Sequence, residues 1–266
     1  MDLSHPYRVS LPWYDLPAVQ GPIEQMWRSV RDRLLALEDP RVAASRLPDS
    51  LPHAYTDPTG EFKEDWDSPR LLLTQACGVD VLHQPQLIPI ARPAFDLSWL
   101  PFDVAPGEYV SVLVQRQGGS TDVAAINGKH SRSGCNALLE SVRPRRIVLT
   151  GSHSASLEAL RLGQCDIAAI DAVSFALFRR HLPHLCKAVE VQGYSSPAPA
   201  PPWVCHVHAG SLCDQLARAL HDALRSSVGR RAGLALLIQD AIPANRNDYE
   251  ALNHETGRTA DILAEM

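Results

Sequence analysis

The chain has 266 residues, 45% of them hydrophobic and 21% charged, with a formal net charge of -5. This length gives one large or two medium domains with enough apolar material for a core. The acidic balance and the absence of a long basic run argue against nucleic acid as a partner, and no stretch reaches the ~18 consecutive apolar residues of a membrane-crossing helix.

At the N-terminus, residues 7–11 alternate as a short strand, and the turn Pro12-Trp13-Tyr14-Asp15-Leu16-Pro17 follows. Residues 20–37 carry Ile23, Met26, Trp27, Val30, Leu34 and Leu37 near helical spacing. Residues 38–65 are polar and rich in Pro and Asp, and their pattern assigns no element. Leu71–Thr74 reads as a buried strand with Gln75-Ala76-Cys77-Gly78 at its end, and Leu87–Ala91 as another.

Strong strands then follow at Tyr109–Val114, by β-branched content, and at Val123–Ile126. A helix is predicted over 131–142, a strand over 147–149, and a helix ending near Gly163. A strand over 165–170 ends at Asp171, and a helix runs from about 173 to 181. A short strand at 189–191, a strand at 203–207 and an amphipathic helix over 212–226 complete the clear elements. A further short element is expected at 234–238, before a partly helical C-terminal stretch.

Strand–helix alternation through the middle indicates a mostly parallel sheet. The expected fold is therefore α/β and two-lobed, with mixed, mostly parallel sheets flanked by helices. One lobe is drawn from 1–93 plus 203–266 and the other from 108–191, with crossings at 94–107 and 192–202.

In open sheets of this kind, ligands bind beyond the carboxyl ends of strands. Ser131-Arg132-Ser133-Gly134 precedes a predicted helix, whose first N–H groups lack intrahelical partners and whose dipole favours an anion. Serine hydroxyls add donors, Gly134 permits close approach to the backbone, and simple N-capping is the alternative reading. Thr150-Gly151-Ser152-His153 repeats the device after the next strand. Asp171 sits at a strand end, poised either to accept from a protonated oxyanion or to cap the following helix. Tyr14 and Gln75 offer a hydroxyl and an amide from the opposing lobe.

The six cysteines form no CxxC pair, so free, mostly buried thiols are expected rather than a zinc site. His206 and His208 would share one strand face, but no third ligand with convincing spacing accompanies them, and neither a metal nor a cofactor is expected. No nucleophile elbow, phosphate-binding P-loop or dinucleotide fingerprint is present.

Residues 11–17, 72–78, 125–138, 148–157 and 166–171 together resemble the phosphate, phosphite and phosphonate substrate-binding proteins of ABC transporters, within the type II periplasmic binding protein fold. The resemblance implies hinge closure around a small oxyanion and a transporter permease as partner. It also implies binding roles for Ser131, Ser133, Gly134, Ser152 and His153, with Arg132 adding positive charge and Tyr14, Gln75 and Asp171 completing the site. It implies a periplasmic location, whereas the first twelve residues have no signal-peptide pattern, so the chain as written is expected in the cytoplasm. The alternatives on the same fold are a cytoplasmic enzyme similar to those of thiamine-pyrimidine or menaquinone biosynthesis, and a ligand sensor.

Overall fold

The computed structural model describes residues 6–54 and 66–265. The remainder of the ill-assigned 38–65 segment lies outside the described residues. Its visible part forms short 3-10 turns at Pro40–Val42 and Ala44–Arg46. These turns are tied to the core by the Trp27 indole, which donates to the Pro48 carbonyl at 2.9 Å.

The first sheet runs in the order β1 (Arg8–Val9), β2 (Leu71–Gln75), β11 (Trp203–His206), β3 (Leu87–Phe95) and β12 (Ile238–Pro243). The second runs β7 (Arg146–Leu149), β6 (Val123–Ile126), β8 (Ile167–Asp171), β5 (Ser111–Arg116) and β9 (Val189–Tyr194). A separate pair, β4 (Glu108–Tyr109) with β10 (Ala198–Pro199), is antiparallel and joins the two chain segments that pass between the lobes.

Both sheets are mixed, but antiparallel pairings outnumber parallel ones. β1 with β2, and β6 with both β7 and β8, are parallel, whereas β5 and β11 run antiparallel to both of their neighbours. The physical reason is the crossing itself. The strand that enters each lobe from the other, β5 in one and β11 in the other, lies at an inner position of its sheet and runs against both of its neighbours. Strand–helix alternation reports only the local crossovers and is blind to this.

Helix α1 (Gln20–Leu35) buries Ile23, Met26, Trp27, Val30 and Leu34 of the predicted stripe against α7 (Cys213–Arg225) and α8 (Ser227–Leu236), whereas Leu37, also expected in it, lies past the helix end and is exposed. Helix α8 and strand β12 replace the single short element expected near 234–238. Gly229 and Gly233 weaken the helical signal, yet both are demanded by packing. A Cβ on Gly229 would lie 2.0 Å from the Ala223 carbonyl oxygen, and one on Gly233 would lie 2.4 Å from that of Ile238.

Between the strands of the second sheet lie α3 (Ala137–Ser141), α4 (His153–Arg161), α5 (Ala172–His181) and α6 (Pro183–Cys186). In the first lobe, α2 (Gly78–His83) follows β2. The C-terminal helix α9 (Leu252–Glu265) belongs to neither lobe alone. It contacts α2 of the first lobe and also α3 and the turn before it in the second, where Ile262 and Leu263 cover the apolar cluster beneath β6.

The six cysteines are free, with Cys77, Cys135, Cys165 and Cys205 buried. The His206 and His208 rings stack, their Nδ1 atoms 2.9 Å apart, and no metal-binding group of three or more such side chains occurs among the described residues. No helix of the described residues is long and apolar enough to cross a membrane.

Candidate functional site

The carboxyl ends of β2, β6, β7 and β8 and the turn after β1 converge on a cleft between the lobes. The cleft holds a cavity of about 510 Å³, lined by Tyr14, Ser131, Ser133, Ser152, His153 and Asp171 among the expected residues. That volume suits a small-molecule ligand.

Ser131 stands before a π-turn, Arg132–Asn136, which precedes α3 where a continuous α-helix was predicted. Single π-turns recur at functional sites because the widened turn re-aims its side chains and amides. Ser131 Oγ accepts the Gly134 N–H at 3.0 Å, and Ser152 Oγ accepts the Ala155 N–H at 3.1 Å at the start of α4. Both are therefore N-caps. The capping reading and the binding reading coexist, because a hydroxyl that accepts a backbone N–H still has its own proton to donate. Between β7 and Ser152, Gly151 adopts φ +87° and lines the cavity, a conformation that favours glycine.

Ser133 Oγ lies 2.9 Å from His153 Nε2, joining the two loops. His153 is half-buried at the cleft wall, and burial lowers its pKa to about 4. The ring is thus neutral at ordinary pH. The Asp171 N–H also reaches Nε2, at 3.5 Å, so Nε2 acts as an acceptor in the Nδ1–H tautomer and the Ser133 hydroxyl donates to it. His153 Nδ1, turned toward the Ala169 carbonyl, makes no hydrogen bond of normal geometry.

Asp171 caps α5 by accepting the Ser174 N–H at 2.8 Å, and its other carboxylate oxygen accepts the Tyr14 hydroxyl at 3.2 Å across the cleft. Burial raises its pKa to about 6, with the Tyr14 and Ser174 contacts pulling the other way. Burial, and then the Asp171 charge, push the Tyr14 hydroxyl well above its ordinary value, so it stays a donor. Tyr14 itself has φ +65°, an uncommon left-handed conformation for a bulky residue. The turn is held there by the Trp13 N–H, which donates to Gln75 Oε1 at 3.1 Å, and by edge-on contact of the Tyr14 ring with Phe95.

Three expected site residues do not line the cavity. Gln75 is buried and spends its amide oxygen on Trp13, so it shapes the loop that carries Tyr14 instead of reaching the cleft. Gly134 does not open its backbone to the cleft, because the Asn127 side chain fills the space where its Cβ would be. Arg132, the first residue of the π-turn, points away from the cleft that Ser131 and Ser133 line. It is 1% exposed. Its Nε pairs with Glu255 at 3.2 Å, its Nη atoms reach Ser195 Oγ at 3.3 Å and the Ser196 carbonyl at 2.7 Å, and the guanidinium lies over the Tyr109 ring. Arg132 thus ties the 131–134 loop to both crossings and to α9.

Several lining residues escaped the sequence reading. Asp80, in the first turn of α2, and Ser174, in the first turn of α5, carry no motif of their own. Their position one turn past a strand end was the available signal. Lys129 and His130 lie exposed on the cleft side of the β6 loop, where Lys129 supplies positive charge. His130 faces Asp80, whose carboxyl is raised by burial and partly restored by that histidine.

Two lobes with mixed five-stranded sheets, two crossings, and capped loops facing a shared cleft define the type II periplasmic binding protein fold. PhnD1 from Prochlorococcus marinus in complex with methylphosphonate superposes with a TM-score of 0.68 at 13% identity, covering 98% of this chain and 100% of that one. A binding protein component of an ABC phosphonate transporter from Pseudomonas aeruginosa gives 0.67 at 13% identity, covering 96% and 88%. A Xanthomonas citri protein bound to ATP gives 0.66 at 12% identity, covering 96% and 98%. Residues 137–249 match the family described as ABC transporter, phosphonate, periplasmic substrate-binding protein, and the resemblance drawn from the sequence holds over that stretch. No curated protein matches the chain in sequence.

Proposed function

We propose that this chain is the substrate-binding component of an ABC-type transport system and clamps a phosphonate- or phosphate-like oxyanion between its lobes, with Ser131, Ser133, Ser152 and His153 holding the oxyanion. The observation that carries this reading is the Ser133–His153 hydrogen bond. It brings together two capped loops, from successive strand ends, at the floor of the interlobe cleft. The family match and the methylphosphonate complex of the similarly folded PhnD1 support the same ligand class.

The anion is held by hydroxyls, by helix N-termini and by Lys129, with no buried cation among the described residues that line the cavity. The α4 and α5 N-termini each aim the positive end of a helix dipole at the cleft, and the neutral His153 ring adds direction rather than charge. Tyr14 and Asp171 belong to opposite lobes and latch them together, which fits closure about the β4–β10 crossings. A permease would read the closed form as its partner. Isothermal titration with methylphosphonate and inorganic phosphate tests the reading. Binding that is lost in Ser133→Ala supports it, and absence of binding by both, in protein freed of carried-over ligand, rejects it.

A further inference from the structure

We infer that the oxyanion cleft continues into an apolar bay that selects ligands whose oxyanion carries an uncharged apolar substituent, such as an aryl or longer-chain alkyl phosphonate. This rests on the function proposed above and specifies its ligand.

Past Tyr14 and His153, the cleft opens into a second space of about 290 Å³ walled by Pro12, Leu16, Ala54, Leu177 and Phe178. The two spaces share Pro12, Tyr14, Ser152, His153 and Ser174, so a ligand held by the serine loops has its substituent directed along this wall. Leu16 comes from the loop after β1, and Leu177 and Phe178 sit one to two turns along α5 from its Asp171 cap. The bay therefore lies between the lobes, as the oxyanion cavity does.

Size and chemistry both favour a carbon substituent. An apolar cavity of about 150 Å³ takes up a benzene ring, and the bay is larger than that. The carboxylates nearest the junction are committed. Asp171 accepts from Tyr14 and Ser174, and Asp15 lies 2.9 Å from His53 Nδ1. Asp15 and Ser154 stand on the polar side of the bay, and with Asp15 engaged by His53 the remaining wall that a substituent meets is leucine, alanine and phenylalanine. Burial also raises the Asp171 carboxyl toward neutrality, which further weakens its attraction for a cation.

The test is calorimetric titration of the full chain with methylphosphonate, butylphosphonate, phenylphosphonate and 2-aminoethylphosphonate. Each methylene placed in the bay strengthens binding by about fourfold, so butyl- and phenylphosphonate are expected to bind at least tenfold tighter than methylphosphonate. Phe178→Ala should erase most of that preference while leaving methylphosphonate affinity unchanged, and the retained affinity also reports that the variant folds. Ala54→Asp, at the half-buried wall, should do the same without touching the core. Equal affinity for methyl- and phenylphosphonate, or tightest binding of 2-aminoethylphosphonate, overturns the apolar bay and leaves the oxyanion site standing. Failure of all four to bind overturns the oxyanion function and the bay together.

Discussion

Ser133 and His153 follow the capping residues Ser131 and Ser152 of successive turns, and they meet at 2.9 Å in the cleft. Each depends on the other. The ring orients the hydroxyl, and the hydroxyl supplies the ring's Nε2 with a polar partner. Hydrogen bonds to charged groups contribute about 1.5–3 kcal/mol. Ser133→Ala is therefore expected to weaken phosphonate binding by roughly tenfold or more, and His153→Ala by a similar factor. Because the two groups touch, the double variant should lose less than the product of the single effects. Titration calorimetry on all three variants checks this, and independent, multiplicative losses would show that the pair does not act as a unit.

The cleft also holds two groups whose pH linkages oppose each other. Asp171 is raised from 3.8 to about 6, so its contribution to stability is complete below pH 3.8 and is lost as pH rises through 6. His153 is lowered from 6.5 to about 4, so its contribution is complete above pH 6.5 and is lost as pH falls through 4. In the native protein the two trends offset between those limits. Asp171→Asn should leave a stability that rises with pH, and His153→Gln one that falls. At about 1.4 kcal/mol per pKa unit, each departs from the parent's trend by up to about 3 kcal/mol. Urea midpoints at pH 4.5 and 6.5 decide it: slopes of the same sign in both variants would refute the assignment.

Where the sequence was legible, a single local force was acting. The α1 stripe, the buried β2 run and the serine caps at 131 and 152 each follow from periodicity or from orphaned helix N–H groups. Their structural counterparts are the α1 core face and the two Ser Oγ caps. What remained hidden depends on partners distant in sequence. Arg132 reads as a loop cation until Glu255, Ser195 and Ser196 are seen around it. Gly134 reads as a backbone opening until Asn127 fills it, and helix α8 stays unread because its glycines, against which β12 and α7 press, weaken the helical pattern.

Arg132 also predicts an effect on stability at a distance from the ligand. Removing one partner of a buried ion pair costs about 3–5 kcal/mol, because the other is left uncompensated. Glu255 retains some exposure, which places Arg132→Met toward the lower end of that range. Arg132→Lys should rescue little, since one ammonium cannot reproduce a fork that reaches α9 and the return crossing together. Chemical denaturation gives the cost directly. A midpoint unchanged in Arg132→Met would mean that the guanidinium is not structural.

Tyr14 is the part of the site that reports on motion. Its hydroxyl reaches Asp171 at 3.2 Å from the opposite lobe, and the left-handed backbone that aims it is held by Gln75 through Trp13. A hydrogen bond of this kind contributes about 1 kcal/mol, enough to shift a two-state opening by about fivefold without unfolding either lobe. Tyr14→Phe keeps the ring against Phe95 and removes only the latch. The free variant should then populate the open form more, seen as a larger radius of gyration by small-angle scattering, and should bind methylphosphonate about fivefold more weakly. Gln75→Leu should do the same by releasing the Trp13–Tyr14 turn, although its side chain does not line the cavity. Wild-type dimensions and affinity in both variants would exclude Tyr14 as the latch and leave closure to the ligand alone.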